Sequence, residues 1–227
     1  MEVVVAAKKG CHPPHMRAYT ALVVVLLEPL GATAERRYQA LQQIRHAHDA
    51  AYTRWLPHLT LIPPYQLHVP DEDPEPLATV SRSLDALAQA LMPVCAKHMA
   101  HELNLSELHS FRLRRYHNIH LRPTRASGAP LVTLQRELSV AASSHIPRSA
   151  RRREGFVPHA SLGQSYSPED TAHIQEEARR WLACRLPSEP AQLDEGLRVS
   201  IRQIQIMYKT SQQKGPYTLW RELSLSR

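Results

Sequence analysis

One short pattern occurs twice in this chain, as His58-Leu59-Thr60-Leu61 and as His159-Ala160-Ser161-Leu162. Each copy follows an apolar residue and a proline, Leu56-Pro57 in the first and Val157-Pro158 in the second. Side chains alternate between the faces of a strand. In each copy the histidine and the hydroxyl two residues later therefore share a face, about 7 Å apart along the chain. Leu59 and Leu61, like Ala160 and Leu162, take the opposite face. A fold that accommodates both copies must give each strand one buried side and one polar side. The chain has 14 histidines, enough for a chance His-x-Ser/Thr match. Only these two matches occur, and both have the same flanks.

The segments around the motifs read as alternating strands and helices. Thr20 to Leu27 is an unbroken run of β-branched residues, alanine and leucine, the pattern of a buried strand, and Pro29 and Gly31 end it. Residues 34–50 carry Tyr38, Leu41 and Ile44 at helical spacing. The first histidine strand is expected over residues 56–62, stopped by Pro63-Pro64, with Tyr65 just beyond it, where an aromatic ring can stack on a base. Leu77, Val80, Leu84, Leu87 and Leu91 form the stripe of a second helix that Pro93 closes. His101 to Pro123 reads as two strands and a turn. His117 and His120 lack the Ser/Thr partner and read as surface or hairpin residues. A third helix starts at Gly128 and Pro130. The run Ser167-Pro168-Glu169-Asp170 starts a fourth, with a serine cap, proline in the first turn and acids near the positive end of the helix dipole. From Leu197 to Leu225 the alternation changes phase at Arg202-Gln203, which predicts a β-bulge.

Composition narrows the class of partner. The formal net charge is +7 and the isoelectric point about 9.6, which favours polyanions such as RNA or nucleotides. Arg148, Arg151, Arg152 and Arg153 form the densest positive cluster, just ahead of His159. Three cysteines, Cys11, Cys95 and Cys184, show neither metal spacing nor a paired framework, which suits a reducing compartment. The longest apolar run, Ala21 to Leu27, is too short to span a bilayer, and the N-terminus lacks a signal-peptide layout. An intracellular protein, cytoplasmic or nuclear, is expected, with no membrane contact. Residues 1–18, which include Cys11, His12 and His15, are expected to form a peripheral arm and not a metal site, leaving residues 19–227 as a single bilobal domain.

The paired H-x-[ST]-x strands resemble those of the two-histidine (2H) phosphoesterase superfamily, above all its 2′-5′ RNA ligase-like and cyclic-nucleotide phosphodiesterase branch. The resemblance runs from about Tyr19 to the C-terminus. It implies an α+β fold of two sheet-and-helix lobes, related by pseudo-twofold symmetry around a central cleft that the two histidine strands face. The approximate duplication in the order of elements agrees with that. By resemblance, the substrate is a 2′,3′-cyclic phosphate at an RNA end or on a nucleoside, opened to a 2′-phosphate. Other branches trim RNA 3′ ends, cleave 2′-5′ linkages or open ADP-ribose cyclic phosphate. Aromatics near the family's cleft bring Tyr65 and Tyr217 forward as substrate contacts. One position departs from the pattern: bacterial ligase-like members have a basic residue soon after the second motif, where this chain has Gly163-Gln164.

The chemistry of the four motif side chains fits phosphodiester cleavage. One imidazole serves as general base towards the attacking oxygen and the other as general acid towards the leaving oxygen, and imidazole titrates near neutrality. Thr60 and Ser161 would hold the non-bridging phosphate oxygens. No cluster of acids with divalent-ligand spacing accompanies the motifs, so neither metal nor other cofactor is expected. No G-x-S-x-G turn is present for a serine nucleophile. The expected site is thus His58, His159, Thr60 and Ser161, with Tyr65, Tyr217, Arg152 and Arg153 binding substrate, in a protein that acts as a monomer. The competing reading from another class is a non-catalytic RNA- or nucleotide-binding module with the same cleft, which would need no pair of titrating groups.

Overall fold

The structure, a computed structural model, describes residues 16–151, 155–183, 196–210, 213 and 215–227. In chain order the elements are β1 (Met16–Leu26), β2 (Glu28–Pro29), α1 (Gly31–His48), β3 (His58–Pro70), α2 (Pro76–Lys97), β4 (His101–Arg112) and β5 (His117–Pro123). There follow α3 (Arg125–Ala141), β6 (Ala160–Ser165), α4 (Pro168–Ala183), β7 (Leu197–Ile201), β8 (Gln203–Thr210) and β9 (Thr218–Ser224). The strands form two antiparallel sheets, a four-stranded one in the order β3-β1-β8-β9 and a five-stranded one in the order β2-β7-β4-β5-β6. This is the expected α+β architecture of two sheet-and-helix lobes about a cleft. α1 and α4 pack on the five-stranded sheet, and α2 packs on the four-stranded one and against α3. No described helix is long and apolar enough to cross a membrane.

Both histidine motifs lie on edge strands, β3 of one sheet and β6 of the other, and these two edges touch. The alternation read from the sequence is present in both. Leu59, Leu61, Ala160 and Leu162 are buried in the core, while His58, Thr60, His159 and Ser161 keep partial access to solvent. β1 lies between β3 and β8 and is covered on both faces. Ala21, Val23 and Val25 enter the main core, whereas Leu22 and Val24 join Met207 in a small second cluster that Trp55 and Tyr217 cover.

Four expectations about element boundaries are corrected. β3 does not stop at Pro63-Pro64 but runs on to Pro70, paired with β1 through register shifts opposite Ala21 to Val24. As an edge strand it has one side without ladder bonds, so prolines do not break it. Pro93 lies inside α2, which continues to Lys97 because the buried Leu91 and Cys95 hold the last turns against the core. α3 begins three residues earlier than Gly128, capped by the Thr124 hydroxyl, which accepts from the Ser127 amide at 3.3 Å. The phase change at Arg202 is no bulge. There the chain leaves the five-stranded sheet as β7 and enters the four-stranded sheet as β8. A continuous alternation would have presented one face throughout, and two sheets require two phases.

Candidate active site

Each motif histidine is fixed by the same local bond. His58 Nδ1 lies 2.8 Å from the Leu56 carbonyl, and His159 Nδ1 lies 2.9 Å from the Val157 carbonyl. A carbonyl only accepts, so Nδ1 carries the hydrogen in both rings and Nε2 is the basic nitrogen of the neutral imidazole. The buried prolines Pro57 and Pro158 sit between donor and acceptor and stiffen both turns.

His58, Thr60 and Ser161 line a single cleft of about 220 Å³, together with Arg45, Asp49, Trp55 and Gln164. The cleft thus takes side chains from both sheets. His159 precedes β6 by one residue and is close enough to His58 for its charge to act there. Burial is the largest cause that lowers the His58 pKa, to about 4, and the Arg45 and His159 charges add to the effect. His58 is therefore neutral at physiological pH. Ser161 is oriented by Asn118 of β5, whose Nδ2 donates to the serine oxygen at 3.0 Å.

A bulge in β6 brings Gln164 to the same cleft. Ile119 pairs with Gly163 but His120 pairs with Ser161, so the pairing skips Leu162. Ser161 and Gln164, three residues apart, therefore both reach the cleft. Gly163 is needed there because α1 comes very close. A Cβ at this position would lie 2.7 Å from the Cβ of His48.

The close approach of α1 places Arg45 and Asp49 at the base of the cleft. Arg45 donates from Nε and Nη2 to Asp49 Oδ2 at 3.1 and 2.8 Å, from Nη2 to the Trp55 carbonyl at 2.9 Å, and from Nη1 to Gln42 at 2.9 Å. The other Asp49 oxygen accepts from the Ala51 amide at 2.8 Å and from Gln164 at 3.2 Å. Both side chains of the pair are almost wholly buried. Arg45 thus brings a guanidinium to the cleft from a helix, with Gln164 tied to its partner Asp49. Its only sequence signal is the i,i+4 spacing of Arg45 and Asp49.

Aromatic rings complete each half of the site. Trp55 stacks on Tyr217, centroids 3.8 Å apart, and lies 4.8 Å from the His58 ring. Tyr217 thus backs the cleft wall through Trp55, with the Lys209 ammonium 4.8 Å from its own ring. On the other side, His159 packs edge-on to Phe111 and to His120, each 5.0 Å away. His120 lies in the β4–β5 hairpin, as expected, but is fully buried, which corrects its reading as a surface residue. It stacks on Phe111 at 4.1 Å, approaches the Asn118 carbonyl with Nδ1 at 3.0 Å and accepts from Arg122 Nε at 3.1 Å. Burial above all drives its pKa down to about 3.

Tyr65 is the expected substrate contact that the fold removes. Because β3 continues past the prolines, Tyr65 pairs with Ala21 and is buried in the main core, where loss of hydration raises its pKa. It does not line the cleft. Arg152 and Arg153 lie outside the described residues, as do Cys11, His12, His15 and Cys184. The described neighbours Arg148 and Arg151 are exposed. Trp55, Arg45, Asp49 and Asn118 were not singled out in the sequence, and His120 was read there as lying outside the site. Trp55, Asp49 and Arg45 stand three, nine and thirteen residues before His58, whereas Asn118 and His120 come from β5, well removed from both motifs.

Two sheets meeting at edge strands, each with one histidine and one hydroxyl beside a shared cleft, define a two-histidine phosphoesterase architecture. A model of the 2′-5′ RNA ligase superfamily matches residues 32–208, and the chain belongs to that superfamily. Solved structures similar to it include E. coli LigT complexed with 3′-AMP, at 16% identity and a TM-score of 0.55, covering 92% of this chain and 99% of that one. A crystal structure described as a phosphoesterase is also similar, at 16% identity and a TM-score of 0.52, covering 95% of this chain and 100% of that one. At such identity these likenesses bear on the fold alone. No curated protein matches the chain in sequence. Membership of the superfamily supports a phosphoesterase-type function.

Proposed function

We propose that the chain is a metal-independent phosphodiesterase that acts as a monomer and opens 2′,3′-cyclic phosphates, on nucleosides or at RNA ends, to 2′-phosphates. The observation that carries this reading is the matched pair of Nδ1 bonds, which fixes the same tautomer in both motif histidines and makes Nε2 the nitrogen that exchanges a proton in each. His58, held neutral by burial, takes a proton from the attacking water. The water oxygen bonds to phosphorus as the bond from phosphorus to the 3′ oxygen breaks, and His159 protonates that leaving oxygen. The Thr60 and Ser161 hydroxyls donate to the non-bridging oxygens, and the Arg45 charge steadies the negative charge that builds up on them. Tyr217 shapes the base-side wall through Trp55. Arg152 and Arg153, with Arg148 and Arg151, steer polyanionic substrates towards the cleft. The 3′-AMP complex of E. coli LigT adds support for a nucleotide substrate.

The test is turnover of a nucleoside 2′,3′-cyclic phosphate in excess chelator, with 2′- and 3′-monophosphates resolved. The expected product is the 2′-monophosphate, at a rate that chelation leaves unchanged. Binding without turnover would identify a non-catalytic nucleotide module. Activity lost in chelator and restored by a divalent ion would show that the motif histidines are ligands.

A further inference from the structure

A second hollow, of about 490 Å³, lies where the end of α1 meets α4, and it shares Asp49 and Gln164 with the cleft. Three side chains of metal-ligand type converge at its edge, two of them, His48 and His173, lining it. His48 is the last residue of α1, and His173 and Glu177 stand one turn apart on α4, hence on one face of that helix. Their ligand atoms all lie within 4.8 Å of one another, and His48 Nε2 is already 2.9 Å from Glu177 Oε2. An ion pair would need only two of these groups. His173 adds a third, its ring centroid 5.9 Å from that of His48.

The surroundings also favour a cation. In a chain of net charge +7, the hollow is lined by Asp49 and Asp170 and by no lysine or arginine. His48 sits at the negative end of the α1 dipole. The close packing that Gly163 permits holds His48 against β6 and fixes its distance to α4.

We propose that His48, His173 and Glu177 form a binding site for a zinc-class transition-metal ion, separate from the two-histidine cleft. Two imidazoles and one carboxylate match the ligand preference of Zn²⁺, with water in the fourth position, and do not suit Mg²⁺ or Ca²⁺. Bonds of about 2.0–2.1 Å in a tetrahedron put ligand atoms about 3.4 Å apart. Rotation of the exposed His173 side chain closes the widest gap. The ion would clasp α1 to α4 behind the Arg45–Asp49 network, and it takes no part in proton transfer at His58 or His159.

The test is calorimetric titration of ZnCl₂ into the chelator-stripped full chain, with a thermal melt in parallel. One Zn²⁺ per chain and a higher Tm with zinc are expected for the wild type. His173→Ala and Glu177→Gln should each weaken binding at least tenfold and abolish the Tm shift, with unchanged circular dichroism and unchanged turnover in chelator. His159→Ala should bind Zn²⁺ as the wild type does. Absence of stoichiometric binding would overturn the proposal. So would wild-type binding by both α4 variants, or loss of binding in His159→Ala, which would move the metal to the cleft. Zinc stoichiometry and Tm are read without any substrate, so their outcome is separate from that of the reaction proposed for the cleft.

Discussion

The two halves of the cleft share a motif and a backbone device but differ in what surrounds the histidine. On the four-stranded side, His58 lies beside Trp55 and above the buried Arg45–Asp49 pair. On the five-stranded side, His159 lies against Phe111 and the buried His120, and the neighbouring hydroxyl is held by Asn118. One half thus combines a neutral imidazole with a buried ion pair whose guanidinium lines the cleft. The other supports its imidazole with a second, neutral imidazole and polar side chains. A duplicated local sequence sets the same tautomer twice, and the different packing around each copy supplies the asymmetry that the proposed base and acid roles require.

The largest effects should come from removing either histidine. His58→Ala and His159→Ala should each lower kcat on a nucleoside 2′,3′-cyclic phosphate by about 10²–10⁴-fold, with binding largely intact. The double variant should fall well short of the product of the two losses, because the groups act as a unit. Near-normal turnover by either folded single variant would end the division of roles.

Asp49→Ala tests the charge that only one half carries. It leaves the Arg45 guanidinium buried without a counter-charge and should cost about 3–5 kcal/mol of stability in denaturant titrations. Arg45→Met combined with Asp49→Ala should recover most of that loss, yet remain weak in turnover. No rescue of stability would mean that Asp49 acts mainly through its bonds to Ala51 and Gln164.

Acid pH should affect both halves in the same direction. His58 and His120 are held by burial at about 4 and about 3, below the ordinary 6.5. The unfolded chain therefore takes up protons at a higher pH than the folded one. Their stabilising contribution, complete above pH 6.5, should fall away as pH drops through that value towards the folded pKa values. Urea titrations should show this slope, and it should be shallower in His120→Phe. The limb of kcat/KM that reports neutral His58 should fall near pH 4. A limb near 6.5 would mean that water hydrates the cleft.

The smallest effect should come from the group that orients Ser161. Asn118→Ala removes one neutral hydrogen bond, worth about 0.5–1.5 kcal/mol, so a loss of up to about tenfold in kcat is expected. Combined with Ser161→Ala it should add little, whereas combined with Thr60→Ala the losses should multiply.

Local order was largely legible in the sequence. The period-2 alternation of both motifs, the capped start of α4 and the unbroken apolar run of β1 are short-range properties, and each residue's neighbours in the chain suffice to read them. That the two motif strands face each other across a cleft came from likeness to a family. What the sequence did not reveal depends on position in the fold. Pro63-Pro64 is compatible with a strand because β3 is an edge, so Tyr65 was expected at a strand end and is instead a core residue. Arg202 marks a change of sheet because β7 and β8 pair with different partners.

The same division holds within the site. His58, Thr60, His159 and Ser161 could be named from the sequence because identity and spacing along a strand determine which way each side chain points. Arg45, Asp49, Trp55, Asn118 and His120 reach the site only through packing. α1 approaches β6 where Gly163 has no side chain, and β5 pairs with β6 across a bulge. The direction of the four motif side chains was thus determined by the sequence itself. The charge, burial and orientation around them were decided by tertiary structure, because they depend on distances between segments that no local pattern encodes.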